Sequence, residues 1–487
     1  MRPLFLSALT VLALGCQAPA EPDEQPIVDV EPDGIDGFEL PLDARACGTL
    51  GTLCFAVEAP VDPDDTSAGV VVLNAAVVLS EAEEPEGVVF VNFGGFGAPG
   101  AAQLAGWAQS VPELQARFHL VSWDPRGSGS SEPLTCAEVQ PEVLRLTGPV
   151  DDVEDAEDQI AARAVIVDLC REEHGALIDH MSFRDHASDM DRVRQRLGVE
   201  QIHYVGYSGG TSLGQAYAGT YGESVGRMVL DSAMPAQGGA RALLGYQAPA
   251  AAESLAAFDA WCARTDCGIE DARTAIEDVL RHASAGTLRG EQLKPPLSWT
   301  DAAYALIALQ YSPTANDYLV EALRRGRQGD GQLLVGLSDA YLGSNQQRDV
   351  DPWHMVYQLT NCAGELGPTT AEDVVAAEQA YNAYTPLSPI YTTDHAWCAA
   401  IGEPLDPMVE PLTADSVDET ILVLQSAVDF ATPLSAAEQL AEELDARLVV
   451  YEGAGHIASM QSACMQQHLL DYLIDGVVPE EGARCVP

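Results

Sequence analysis

From about Cys47 onward, short and almost wholly apolar runs alternate with longer stretches of helical period, the pattern of a mainly parallel sheet covered by helices on both faces. The segments GVVFVNF (87–93) and FHLVSWD (118–124) read as buried strands. In DMDRVRQRLG (189–198) the spacing predicts an amphipathic helix, with Met190, Val193 and Leu197 on one face and Gly198 as its stop. The next apolar run, QIHYVGY (201–207), is again a strand. Between Asp231 and about Pro411 the alternation fades, and helical periods such as AAESLAAFDAWCA (251–263) and TDAAYALIALQ (300–310) replace it. Strand-like runs return in TILVLQSAVDFATP (420–433) and ARLVVYEGAGHIA (446–458). The expected class is α/β, a mostly parallel sheet flanked by helices, with core segments at 44–235 and 412–487 and an inserted helical cap at 236–411. Within that cap Trp261, Tyr304, Tyr311 and Trp353 fall at helical spacing, which assigns them to its core before any substrate.

The N-terminus breaks this pattern. One Arg precedes an apolar run from Leu4 to Leu14, then Gly15 and Cys16, which reads as an export signal over 1–15, too short for a stable membrane span. The stretch ALGC resembles the lipobox of bacterial lipoproteins, with Ala13 where Leu is usual. Cleavage before Cys16 and lipidation there are therefore expected, a plain secretory signal being the alternative. Residues 16–43 are rich in Pro, Asp and Glu without a sustained apolar period, and read as an acidic flexible tether. Asp29, Glu31, Asp33 and Gly34 mimic the start of a calcium loop, but the twelfth position is Leu40, so no calcium is expected.

Composition narrows the partners. The chain has 74 acidic and 24 basic residues and a formal net charge of -50, which repels phosphate backbones and anionic membrane surfaces. Nucleic acid is thereby excluded, and a lipid at Cys16 is left as the route to a membrane, facing the periplasm or the exterior. Eleven cysteines less Cys16 leave an even number, which suits an oxidising compartment. Sequence proximity pairs Cys47 with Cys54, Cys262 with Cys267 and Cys464 with Cys485; taking the rest in order pairs Cys136 with Cys170 and Cys362 with Cys398. No CxxC has a matching His pair or second CxxC, and HExxH is absent, so neither metal nor cofactor is expected.

Against that background YVGYSGGTSLG (204–214) acquires meaning. GxSxG is common by chance, but here Ser208 falls between a strand and a helix, where Gly206 and Gly210 relieve the crowding of a tight turn that pushes the serine outward. A nucleophilic serine needs a base, and His456 follows a late strand; Asp429 ends the strand before it, giving the order Ser208, Asp429, His456. Asp231, which ends the intervening strand in MVLDSAMP, is an alternative acid. An oxyanion hole is expected from the backbone amides of Gly209 and Gly95, with Phe96 as the neighbouring alternative to Gly95. Asp124 and Arg126 in WDPRGSGSS are expected to brace a turn.

Over roughly 47–485 the chain resembles the bacterial tripeptidyl aminopeptidases, relatives of proline iminopeptidase within the α/β-hydrolase superfamily. FGGFG stands where that family tends to have GGPG, WDPRGSGSS matches its WDxRGxGxS segment, and VLQSAVDFATP, GAGH and the closing stretch from Cys464 to Cys485 resemble its TAP-like C-terminal segment. Phe96 replaces the usual proline, and Gly209 the bulkier residue that commonly follows the serine. The resemblance implies an α/β-hydrolase fold, a serine peptidase that forms an acyl-enzyme without a cofactor, and short peptide substrates cut near a free N-terminus. It also implies Glu365, in NCAGE, as a partner for the substrate's amino group. An esterase or lipase on the same fold is the nearer alternative. A non-catalytic binding protein is the further one, disfavoured because a pure binder needs no complete triad.

Overall fold

A computed structural model describes residues 37–136, 148–235, 240–290, 296–341, 353–363, 369–402, 412–413 and 416–487. Cys16 and Glu365 lie outside the described residues. Among the described residues the strands are β1 (Arg45–Ala46), β2 (Leu53–Pro60), β3 (Val70–Val78), β4 (Val88–Asn92), β5 (His119–Trp123), β6 (Ile202–Tyr207), β7 (Val225–Asp231), β8 (Leu422–Val428), β9 (Arg447–Ala454) and β10 (Arg484–Cys485). They form one sheet in the order β1-β2-β3-β5-β4-β6-β7-β8-β9-β10. Pairing is antiparallel from β1 to β5 and parallel from β5 across to β10.

Every residue of β4 and β5 is buried, as their largely apolar runs require, and Asn92, His119 and Ser122 are buried with the rest. Side chains alternate between the faces: Phe90 joins Trp123, Met190 and Tyr204 on one side, while Val89 and Val91 join Leu104, Leu120 and Val205 on the other. Because the chain passes from β5 over β4 to β6, the winding reverses at β4 and β6. A crevice opens there at the carboxyl ends of the strands.

The helix predicted over 189–198 spans Phe183–Arg196. Ser182 starts it: its hydroxyl accepts from the Asp185 amide at 3.3 Å while Asp185 accepts from the Ser182 amide at 2.9 Å. The apolar stripe misses the first turns because Asp185, His186, Ser188 and Asp189 are buried there as polar residues.

The last residues of the expected tether, 38–43, are docked on the sheet domain. Phe38 stacks on His119 with ring centroids 4.2 Å apart, the Glu39 N–H donates to the Leu197 carbonyl at 2.8 Å, and Arg196 pairs with Asp43 at 2.6 Å. Composition averaged over the segment hides the two apolar side chains, Phe38 and Leu40, that hold its end to the core.

Between β7 and β8 the described regular structure is helical, apart from one isolated bridge between Arg289 and Asp330. These helices bury a core of their own around Leu255, Ile276, Val279, Leu306 and Leu323. Phe430 and Ala431, from the loop after β8, pack into that same core. Disulfides join Cys47–Cys54, Cys136–Cys170, Cys262–Cys267, Cys362–Cys398 and Cys464–Cys485, with Cα–Cα separations from 4.7 to 5.8 Å. These are the five pairs expected from the sequence. Cys136–Cys170 and Cys362–Cys398 share one buried cluster with Met355, Val356 and Trp397, which ties the inserted helices to the sheet domain.

Asp124 and Arg126 brace their turn. Asp124 accepts from Asn74 Nδ2, the Ala101 amide and the Ser130 amide, each at 3.0 Å. Arg126 is fully buried, holds Asp189 through two bonds of 2.8 and 2.7 Å, and donates to the carbonyls of Pro60, Val61 and His180. Removing the cation strands a buried carboxylate, so Arg126→Met should lower the unfolding free energy by about 3 to 5 kcal/mol in urea titrations. A loss under about 1 kcal/mol would show that the pair braces nothing.

Candidate active site

Ser208 sits between β6 and the helix Gly209–Tyr221 with φ 50° and ψ -122°, a conformation that L-residues rarely adopt. Its N–H donates to the Asp231 carbonyl at 3.0 Å, and its own carbonyl accepts from the Thr211 amide at 2.8 Å and the Thr211 hydroxyl at 2.6 Å. A Cβ on Gly206 would meet the Gly210 carbonyl oxygen at 2.5 Å, and one on Gly210 the Asn92 carbonyl oxygen at 2.6 Å. The turn therefore closes only around glycines, and it aims the serine out of the sheet's carboxyl edge.

The loop after β4 faces this turn. Gly94, Gly95 and Phe96 follow one another with φ of 87°, 67° and 47°. The Gly95 nitrogen lies 3.1 Å from where a Cβ on Gly209 would stand, so the Gly95 and Gly209 amides are side by side next to Ser208. Among the described residues neither N–H is taken by a protein acceptor. Two free amides beside a serine hydroxyl suit an oxyanion that forms there.

Asp429 and His456 meet across the ends of β8 and β9. Asp429 Oδ2 is 2.8 Å from His456 Nδ1, and both residues are buried. The other carboxylate oxygen accepts from the Ala431 and Thr432 amides at 2.9 and 3.1 Å, while the Thr432 hydroxyl donates to Oδ2 at 2.9 Å. A carboxylate so held accepts a hydrogen bond from the imidazole Nδ1–H, which keeps the proton on Nδ1 and leaves Nε2 as the acceptor. The insertion fixes the histidine from above: the His456 N–H donates to the Tyr311 carbonyl at 2.8 Å, and the Tyr311 ring stands edge-on to the imidazole at 5.2 Å.

Ser208 and His456 line one cavity of about 250 Å³, together with Gly95, Phe96 and Gly209. Its far wall comes from the inserted helices and is unusually rich in phenols: Tyr304, Tyr311, Tyr341, Tyr357 and Tyr391. Asp394 lies in this wall, accepting from the Tyr357 hydroxyl at 3.1 Å and from Asn361 Nδ2 at 3.2 Å. His354 also lines it, and burial lowers the His354 pKa to about 4, so the ring is neutral.

A family model for the alpha/beta hydrolase fold matches residues 88–463, most of the chain. The chain belongs to the α/β-hydrolase family. Serine protease Hip1 of Mycobacterium tuberculosis is 27% identical to this α/β hydrolase over 89% of this chain and 87% of its own. Tripeptidyl aminopeptidase of Streptomyces coelicolor is 26% identical over 83% and 77%, and carboxylesterase B of Mycobacterium tuberculosis 29% identical over 89% and 86%. The chain is thus an enzyme, a hydrolase.

The site of this α/β hydrolase contains residues that sequence reasoning passed over. Tyr304 and Tyr311 pack against the insertion's core as their spacing predicts, yet both also face the cavity. Asp394 was the harder miss. Its one available signal is a lone carboxylate in SPIYTTDHAWC (388–398), a helical stretch in which every residue is buried. Thr432, three residues after Asp429, carried no signal of its own. Cys464, His468 and Cys485 cluster closely enough to suggest a metal set, but both sulfurs are tied up in their disulfide and cannot act as thiolates.

Asp231, the alternative acid, faces elsewhere. Its two carboxylate oxygens accept from the amides of Ala458 and Ser459 at 2.8 and 3.0 Å, and the Ser232 hydroxyl accepts from the Ile457 amide at 2.9 Å. It thereby clamps the turn that follows His456. Burial raises its pKa to about 6 from 3.8, with the Ser459 and Ala458 bonds opposing. A carboxyl whose pKa is higher folded than unfolded keeps its proton longer in the folded state, so its contribution to stability is largest below pH 4 and is lost as pH rises through 6. The stability of wild type relative to Asp231→Asn should accordingly fall by about 2 kcal/mol between pH 4 and pH 7, from a shift of roughly two pKa units. A pH-independent difference in urea titrations would show that Asp231 ionises normally.

Proposed function

We propose that this protein is an exported serine hydrolase, an aminopeptidase that releases residues or short peptides from a free N-terminus through an acyl-enzyme. Ser208 Oγ attacks the carbonyl carbon while His456 Nε2 takes its proton, and Asp429 holds the imidazole and stabilises its charged form. The amides of Gly95 and Gly209 receive the oxyanion. Collapse of the tetrahedral intermediate passes the proton from His456 to the leaving amine, and water repeats the sequence to free the acyl group.

The observation that carries the peptidase reading over the esterase reading is Asp394, the one carboxylate among the described residues that line the cavity. An ester of a simple acid gains nothing from that charge, whereas the ammonium of a peptide N-terminus does, the more so where water is excluded. Asp394 takes the part that the family resemblance implies for Glu365. The substrate ammonium would share it with Arg163, which lies within its electrostatic reach and bonds to the Gln159 carbonyl and the Thr393 hydroxyl. The peptidase names of two relatives agree with this reading, and the name carboxylesterase B keeps its alternative open to test.

Export and anchoring rest on the N-terminal sequence and on the cysteines. Five disulfides use ten of the eleven cysteines and leave Cys16, the residue after the apolar run, for a lipid. Among the described residues no helix is long and apolar enough to cross a membrane.

The test compares kcat/KM for one short peptidyl amide with its N-terminus free and then acetylated, at pH 7, where an α-amine is still largely charged. Acetylation should cost wild type roughly tenfold to a thousandfold, equivalent to about 1.4 to 4 kcal/mol. Asp394→Asn should lose most of that preference while cleaving the acetylated substrate about as fast as wild type does. Equal rates on both substrates in wild type would favour the esterase.

A further inference from the structure

The two departures from the family pattern that flank the reacting carbonyl, Phe96 for proline and Gly209 for a bulkier residue, are one feature in space. A Cβ on Gly209 would lie 2.8 and 2.9 Å from Cδ1 and Cε1 of Phe96. Real Cβ atoms do not approach that closely, so the Phe96 ring occupies the volume that a side chain after the nucleophile would fill. Phe96 also holds φ 47°, which a non-glycine residue keeps only where its surroundings leave no alternative. Those surroundings are aromatic and apolar. The ring stacks on Tyr357 at 5.5 Å, meets Phe183 edge-on at 5.1 Å, and packs with Met234 and Leu243.

The side of the cavity that Phe96 closes follows from the proton's path. The leaving group must depart where His456 can protonate it, and that side is walled by Tyr311 and Phe430, whose rings meet at 5.0 Å beside the imidazole. Phe96 belongs to the other wall, with Met234, Leu243 and Tyr357, and Tyr357 continues directly to Asp394. The acyl part of the substrate, opposite the leaving group, lies against that wall whatever its chemistry.

We infer that Phe96 is a specificity-determining residue: its ring, admitted by Gly209, forms the end of the acyl pocket and restricts the residue that supplies the carbonyl to small side chains. The identity of the acyl group as aminoacyl or peptidyl rests on the function proposed above; the steric limit does not.

The experiment measures kcat/KM for two matched series, N-free peptidyl amides and the corresponding acyl esters, with alanine, leucine or phenylalanine at the carbonyl-supplying position. Wild type should favour alanine over phenylalanine by roughly tenfold or more, in the range that pocket sterics supply. Phe96→Ala should shift that ratio toward phenylalanine by about tenfold or more, and Phe96→Leu, the gentler change if alanine impairs folding, by an intermediate factor. Gly209→Ala should lose at least about tenfold in kcat/KM in the wild-type background and regain much of it with Phe96→Ala. A side-chain ratio unchanged by both Phe96 variants, or an equal Gly209→Ala loss in both backgrounds, overturns the inference. Esters that obey the size order while the amides are not cleaved would reject the aminopeptidase reading and keep the pocket assignment.

Discussion

Ser208 keeps a φ of 50° because its backbone is tied at both ends: the N–H to the Asp231 carbonyl at the end of β7, the carbonyl to Thr211 in the first turn of the following helix. Each rarely populated backbone conformation costs on the order of 1–3 kcal/mol, which surrounding structure must offset. Here the offset comes from the centre of the sheet, where β4, β6 and β7 lie adjacent and the strand ends that lead into the turn are buried. The rest of the site is assembled around that turn. The winding reverses at β4 and β6, so the loop after β4 brings the Gly95 amide beside Gly209, and Asp231, at the end of β7, holds the turn that carries His456 forward.

The inserted helices are part of the site and more than a lid. Tyr311 receives the His456 backbone N–H, and Phe430 and Ala431, adjacent to Asp429, pack into the insertion's own core. The acid and the base are therefore each held from both sides, by the sheet below and the helices above. The same helices supply Asp394 and the phenols that line the cavity. A perturbation of the insertion should reach the chemistry through Tyr311 and Phe430 even where it touches no substrate.

What the sequence disclosed follows from the range of the interactions involved. Strand runs such as GVVFVNF, the glycines around Ser208 and the order of Ser208, Asp429 and His456 depend on local pattern and on chain order, and all could be read directly. The start of the helix at Ser182 was missed because buried polar side chains break the apolar stripe of its first turns. The docked end of the tether was missed because two apolar residues vanish in an acidic average. Asp394 and the reciprocity of Phe96 with Gly209 were illegible for another reason. Each depends on residues far apart in the chain meeting across the cavity, and no local period records such a meeting.

If one strained and activated serine does the chemistry, a fluorophosphonate probe followed by peptide mapping of the full-length protein should find it. A single adduct is expected, on Ser208, absent in Ser208→Ala and formed on the order of 10³-fold more slowly or worse in His456→Ala, since the members of such a triad act as a unit. An adduct on another serine, or hydrolysis that persists in Ser208→Ala, would contradict it.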